Sequence, residues 1–224
     1  MAIKAIFLDF YGTVVEEDDK YITQICSIVA NNSKMEVTSK DVGYFWWKEF
    51  LSMYTNSYGD DFQTQRTLQV VSLQKTISHF NSSGDAEELC SILFSYAQNP
   101  LIFEDSIMFF EKVALPIIIL SNIDRQDILP AVERHKVKVK EVLTSEDSKS
   151  YKPRSEMFIH ALEKVGLLPE EVIHIGDSWS CDVIGAKNAG IKSIWINRMN
   201  KTAGKDVEPF ATCNSLLSVL EHIS

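Results

Sequence analysis

A chain of 224 residues, 45% hydrophobic and 24% charged, can bury one large core, or one core with a sizeable inserted unit. Its formal charge of -9 excludes the basic footprint that nucleic-acid phosphates require. The four cysteines (Cys26, Cys90, Cys181, Cys213) form no CxxC pair and no dense framework, which reads as reduced thiols in a cytoplasmic protein.

The chain opens on Lys4-Ala5-Ile6-Phe7-Leu8-Asp9-Phe10-Tyr11-Gly12-Thr13. Its nearly unbroken apolar run predicts a strand buried on both faces, in the middle of a parallel sheet. The run has no small-residue cleavage site, so it does not read as a signal peptide. It stops at the carboxylate Asp9, and Gly12 permits a sharp turn just beyond. Ligands of open parallel sheets bind at the carboxyl ends of strands, which puts Asp9 where chemistry is done; taken alone, Asp9 serves equally well as a turn cap. The acidic run Glu16-Glu17-Asp18-Asp19 reads as a solvated connection.

From about Lys20 to Gln98 the periodicity is helical. Ile22, Ile25, Cys26 and Val29 share one face, Thr38 and Asp41 are spaced as a capping box, and Ser83-Gly84-Asp85 separates two further helices. No strand is expected here, so residues 18–98 form a helical subdomain inserted into a unit made of 1–17 and 99–224. In Tyr44-Phe45-Trp46-Trp47-Lys48, at least half of the aromatics are expected in the core of that subdomain, the rest forming an aromatic wall.

Strand and helix alternate after Pro100. Pro116–Asn122, Glu141–Ser145, Val172–Asp177 and Ile191–Asn197 read as strands, giving βαβ units and a parallel sheet. The alternation Lys136-Val137-Lys138-Val139-Lys140 reads as a solvated strand edge. The longest apolar run, around Val113–Leu120, is broken by Pro116 and is too short to span a bilayer, so no membrane association is expected.

The strand ends thus present Asp9, Ser121-Asn122, Ser145-Glu146-Asp147 and Asp177 to one rim, with Lys152 and Asp182 close by in sequence. Each has an ordinary structural use: Ser121 as a helix cap, Lys152 before Pro153 as a solvated turn, Asp182 beside a helix dipole. Together, convergent carboxylates and a lysine suit a hard divalent cation such as Mg²⁺ and the stabilisation of charge on a transferred group.

In order along the chain, Asp9-Phe10-Tyr11-Gly12-Thr13, Ser121-Asn122, Lys152-Pro153 and Gly176-Asp177 through Asp182 resemble the four motifs of the haloacid dehalogenase-like (HAD) hydrolases, the first a variant of DxDGT. Ile194-Trp195-Ile196-Asn197-Arg198 is similar to one branch of them. The resemblance implies an α/β fold, a Rossmann-like parallel sheet with an all-helical cap inserted after the first motif. It implies Asp9 as nucleophile and metal ligand, with Thr13, Ser121 and Lys152 holding the transferred group. The Tyr11 carbonyl and Asp177 would complete a Mg²⁺ site with Asp182 in support, and Asn122 and Lys48 are candidate substrate contacts. The partner expected is a small molecule, a phosphate ester or a 2-haloacid, bound by a monomer or homodimer.

One residue departs from the phosphatase pattern. Tyr11 stands where those enzymes carry a second aspartate that protonates the leaving alcohol and activates water, and a phenol is a poor base near neutrality. Tyrosine there resembles the metal-independent 2-haloacid dehalogenases, which however lack the acid kept here as Asp177 and use a cap arginine; Arg66 is the only arginine in that stretch, and Lys48 the nearest cation to the expected place. The reading favours a Mg²⁺-dependent phosphatase working through an aspartyl-phosphate at Asp9. The alternatives are a 2-haloacid dehalogenase and a catalytically weak ligand- or protein-binding member.

Overall fold

The structure is a computed structural model and describes residues 2–205 and 207–223. The chain divides into two compact units. One runs through Glu17 and resumes at Pro100; the other is Asp18–Asn99.

The first unit is built on six strands: β1 (Ala5–Leu8), β2 (Ile117–Ser121), β3 (Glu141–Thr144), β4 (Val172–Gly176), β5 (Lys192–Ile196) and β6 (Ala211–Cys213). All five pairings are parallel, in the order β3-β2-β1-β4-β5-β6. Every residue of β1, β2 and β4 is buried, as strands covered on both faces must be. Alternate side chains feed two separate cores. Ile6, Leu8, Ile119 and Ile175 join Phe109, Ile128 and Leu216 on one face. Phe7, Ile118, Leu120 and Leu143 join Met157, Phe158 and Ala186 on the other. The covering helices are α5 (Glu104–Lys112), α6 (Arg125–His135) and α9 (Leu216–Ile223) on the first face, with α7 (Glu156–Val165) and α8 (Gly185–Asn188) on the second. The parallel α/β sheet expected from the alternation, Rossmann-like as the family resemblance implies, is the fold observed.

Chain order runs outward from β1 to β3 on one side and from β4 to β6 on the other. The switch between the two directions lies between β1 and β4, where parallel sheets leave a crevice at their carboxyl ends. Asp9 follows β1 and Asp177 follows β4.

One expectation needs correction. Residues 136–140 form no strand: Lys136 closes α6 in the left-handed conformation (φ 50), and the segment descends to β3 as irregular chain. The alternation is real but serves half-burial, with Val137 and Val139 against the core and the lysines exposed. Conversely, β6 carries no apolar run, and its three residues extend the sheet at its edge by pairing with β5.

The second unit consists of α1 (Asp19–Asn31), α2 (Ser39–Asn56), α3 (Gln65–His79) and α4 (Ala86–Ala97), with no strand among its described residues. The Thr38–Asp41 capping box opens α2, and Asp85 caps α4 by accepting from the Glu88 N–H at 2.9 Å. Its core gathers Ile25, Val29, Val42, Trp46, Leu73, Ile77 and Leu93. Trp46 is satisfied by donating Nε1–H to Ser72 Oγ at 2.9 Å, and Phe45 stacks on His79 with ring centroids 3.9 Å apart. Tyr44, Trp47 and Lys48 are exposed on α2. Arg66 lies over the Phe94 ring at 4.3 Å. No described helix is long and apolar enough to cross a membrane, and all four cysteines are free.

Candidate active site

The turn after β1 is tight because its backbone bonds fold back on themselves. Val14 N–H and Val15 N–H both donate to the Phe10 carbonyl, and Gly12 N–H donates to the Val15 carbonyl. Gly12 sits at φ +83, which disfavours any side chain, and a Cβ there would lie 2.6 Å from both Asp177 Oδ1 and Glu17 Oε1. The glycine therefore does two things: it allows the turn, and it leaves room for two carboxylates. Thr13 is fully buried and donates its hydroxyl to Asp9 Oδ2 at 3.1 Å.

Lys152, only 1% exposed, reaches between two acids, with Nζ 2.8 Å from Asp9 Oδ1 and 2.7 Å from Asp182 Oδ1. Its backbone is held by Asn122, which accepts from the Lys152 N–H at 2.8 Å and donates to the Lys152 carbonyl at 3.2 Å. Asn122, expected as a substrate contact, thus has both ends of its amide on the chain that delivers the lysine. Ser121 Oγ accepts from the Ile123 N–H at 3.2 Å, a local cap that leaves the hydroxyl proton available.

Asp182 lies in a short π-helical segment (Trp179–Ile184) capped by Ser178, whose hydroxyl accepts from the Cys181 N–H at 3.2 Å. Both Asp182 oxygens are engaged: Oδ1 by Lys152 and by His174 Nε2 at 2.9 Å, Oδ2 by the Ser178 N–H at 3.0 Å. A Cβ at Gly176 would overlap the Asp182 carboxylate, so that glycine makes the close approach possible. Asp177 is pinned through its carbonyl by Trp195 Nε1–H at 2.8 Å, while Lys201 Nζ stands 3.2 Å from its Oδ2.

The charges are unevenly compensated. Burial pushes Asp182 up, but the Lys152 ammonium and His174 more than reverse this and hold its carboxyl well below the usual carboxylate range. Burial pushes Asp9 up to about 7, opposed by Lys152, which it shares, and reinforced by Asp182 and Asp177. Asp177 is raised by burial and by Asp182. Burial lowers His174, against the opposing pull of the Asp182 carboxylate it touches. For Lys152 burial is outweighed by its two acids, and it stays charged.

Asp9, Asp177 and Asp182 each offer an oxygen within 4.8 Å of the others. Asp9 and Asp177 are each 8% exposed, enough to meet a ligand. The donor set is all oxygen, which matches a hard cation, and the surplus of buried negative charge is what such an ion would relieve. Tyr11 is half-buried, its ring edge-on to Phe10 at 5.3 Å and packed on the sheet core. Lys48 belongs to the other unit.

Three residues escape a sequence reading. His174 looks like part of an apolar strand, yet it is the second donor to Asp182. Glu17 looks like one of four solvated acids, yet its carboxylate overhangs Gly12. Arg198 donates to the Thr13 carbonyl at 3.0 Å and forms a two-pronged pair with Asp105 at 2.9 and 3.0 Å. Only Arg198, at the end of a segment similar to one HAD branch, carries any signal in the sequence.

Residues 3–190 match the sequence model of the haloacid dehalogenase-like hydrolases. Among curated relatives, a bovine haloacid dehalogenase-like hydrolase domain-containing protein 2 is 36% identical over 76 residues, covering 32% of this chain and 29% of that protein. A glyceraldehyde 3-phosphate phosphatase of Methanopyrus kandleri is 35% identical over 69 residues, 31% of this chain and 28% of the relative. These matches span under a third of either relative's length. Solved structures share the fold over the full chain: an L-2-haloacid dehalogenase from Xanthobacter autotrophicus (TM-score 0.77, 16% identity, 99% of this chain and 100% of the other) and the HAD-hydrolase YfnB of Bacillus subtilis bound to magnesium (0.78, 14%, 100% and 99%). With one family covering most of the sequence, and its motif positions gathered at the switch point of the sheet, this chain belongs to the haloacid dehalogenase-like hydrolases.

Proposed function

We propose that the protein is a Mg²⁺-dependent phosphatase of a small phosphorylated metabolite, with Asp9 as nucleophile. The observation that carries this reading is the convergence of the Asp9 and Asp177 carboxylates beside a lysine already shared with Asp182. A dehalogenase needs no cation and gains nothing from a second buried acid there; a phosphoryl site does. Phosphatases among the curated relatives, for glyceraldehyde 3-phosphate and N-acylneuraminate 9-phosphate, point the same way.

Asp9 and Asp177, with the Tyr11 carbonyl, would hold the cation, and Asp182 would support it by fixing Lys152. Bound there, Mg²⁺ supplies charge neutralisation between the nucleophile and the anionic phosphoryl group. An Asp9 oxygen attacks phosphorus, the ester P–O bond breaks, and its electron pair leaves on the alcohol oxygen, which takes a proton from solvent. Lys152 and the Thr13 and Ser121 hydroxyls bind the equatorial oxygens and offset their charge. Water then attacks the aspartyl-phosphate, releasing inorganic phosphate and restoring the Asp9 carboxylate. Tyr11 gives this second step no carboxylate base, so hydrolysis of the intermediate limits turnover.

Release of phosphate from a panel of small phosphate esters, with Mg²⁺ and with EDTA, tests the proposal. Turnover that needs Mg²⁺ and disappears in Asp9→Asn is expected; turnover unaffected by either change sinks it. Tyr11 favours one other reading, a 2-haloacid dehalogenase, which predicts chelator-insensitive halide release from 2-haloacids.

A further inference from the structure

Lys201 is a second lysine at the acid cluster, with no part in the proposed reaction. It differs from Lys152 in every physical respect. Lys152 is buried and fixed by two carboxylates, whereas the Lys201 side chain is 55% exposed and meets Asp177 alone, at 3.2 Å. Its backbone, by contrast, is firmly placed. Asn197, just past β5, accepts from the Lys201 N–H at 2.7 Å and donates to the Lys201 carbonyl at 2.9 Å, closing the loop around Asn200 (φ 52). Further along, Gly204 lies so close on the Trp179 indole that a Cβ would overlap it, and Trp179 packs edge-on to Trp195 at 4.8 Å.

The end of β5 therefore fixes both members of the pair: Trp195 holds the Asp177 main chain and Asn197 holds that of Lys201. Only the lysine's flexible stem is left loose, and an exposed ion pair of this kind is held weakly. Three buried carboxylates face one deep ammonium, so a second positive charge at Asp177 is favoured whenever no other cation is present. An ammonium and a divalent ion cannot both sit against one carboxylate without repelling each other.

From this geometry we infer that Lys201 is a tethered internal competitor for the cation site. Its ammonium neutralises Asp177 in the metal-free protein and swings into solvent when a divalent cation binds. The inference rests on the cation-dependent reading of the site and adds a determinant of how tightly the ion is held.

Mn²⁺ titrated into the full chain and followed by electron paramagnetic resonance, with Mg²⁺ as competitor, measures the effect without reference to activity. Lys201→Gln is expected to bind Mn²⁺ about three- to tenfold more tightly, the scale of one unit charge a few ångströms away in a wet site. Asn197→Ala keeps the lysine but unties its loop, and should give a smaller gain. Thermal melts in EDTA check folding and read the opposite side of the same linkage: Lys201→Gln melts lower than wild type without metal, and the gap closes at saturating Mn²⁺. Equal affinity in wild type and Lys201→Gln overturns the competition while leaving the cation site standing. Weaker binding in Lys201→Gln also overturns it, since the lysine would then assist the ion. No binding in either protein removes the inference together with the cation-dependent reading beneath it.

Discussion

Lys152 Nζ stands 2.7 Å from Asp182 and 2.8 Å from Asp9, yet the two acids that share it are in opposite electrostatic states. Asp182 has a second donor in His174 and a third in the Ser178 N–H, and is held ionised. Asp9 has the Thr13 hydroxyl in their place, and burial and its two acidic neighbours push it up. Asparagine at the two positions should therefore have unlike effects in metal-free protein. Asp182→Asn breaks a buried charge pair and is expected to cost about 3–5 kcal/mol. Asp9→Asn should be close to neutral, or stabilising near pH 8. Urea denaturation of both variants in EDTA decides it, and equal losses would mean that the charge of Lys152 is not divided as described.

Arg198 ties the Thr13 carbonyl to Asp105, whose Oδ2 also accepts the Leu216 N–H at 2.6 Å, and its guanidinium lies over Phe103 at 4.0 Å. A lysine cannot present two parallel donors to the carboxylate, reach the carbonyl and stack on the ring at once. Arg198→Lys should lose about 1.5–3 kcal/mol, the usual worth of hydrogen bonds to a charged group. Turnover should fall as well, because the turn carrying Asp9 and Thr13 loses its anchor. A stability change below about 0.5 kcal/mol, the range of ordinary surface substitutions, would show the contact to be incidental.

How far these features are legible in sequence depends on whether a residue's role is local. Strands β1, β2 and β4 are visible because both their faces are buried, so their apolar runs are unbroken. The polar residues that end them are legible for the same reason, since a carboxylate closing such a run stands out. His174 is hidden inside the run itself, where nothing in sequence shows that one face of β4 meets an acid eight residues later. Glu17 is hidden by its acidic neighbours, although its carboxylate overhangs Gly12 beside that of Asp177. The short edge strand β6 pairs through its backbone and needs no apolar signature. Asn122 was legible as a site residue, but not its partner, because a hydrogen bond to a backbone thirty residues away leaves no pattern of spacing.

The raised Asp9 and Asp177 carboxyls give the metal-free protein a pH dependence of definite sign. An acid near 4 in the unfolded chain and at about 7 in the fold keeps its proton on folding over that interval. Its contribution to stability is complete below about pH 4 and is lost as pH rises through about 7. His174, lowered by burial, works against this, since the imidazole of the unfolded chain, at its ordinary value, is the better proton acceptor. Subtracting the stability of Asp9→Asn, which retains His174, isolates the acid. The difference, wild type minus variant, should fall steadily from pH 4 to pH 8 in EDTA and flatten with excess Mg²⁺, which selects the carboxylate. A flat difference in EDTA would contradict the raised value.

Tyr11 bears on rate rather than stability. If the aspartyl-phosphate forms readily but lacks a carboxylate to activate water, phosphorylated protein accumulates. The first turnover should then outrun those that follow, and a burst of released alcohol about equal to the enzyme concentration should precede slow steady-state turnover. Tyr11→Asp restores a carboxylate two residues from the nucleophile, and such a base contributes about 10²–10⁴ in rate where its geometry is right. An order-of-magnitude gain in steady-state phosphate release, with loss of the burst, is the expected result for a side chain only half-buried at the edge of the core. Ring removal exposes part of the Phe10 contact and should cost some stability, so the variant is compared at a temperature well below its own melt. No burst in wild type together with no gain in Tyr11→Asp would show that hydrolysis of the intermediate is not the slow step, and that the tyrosine is there to pack rather than to withhold a base.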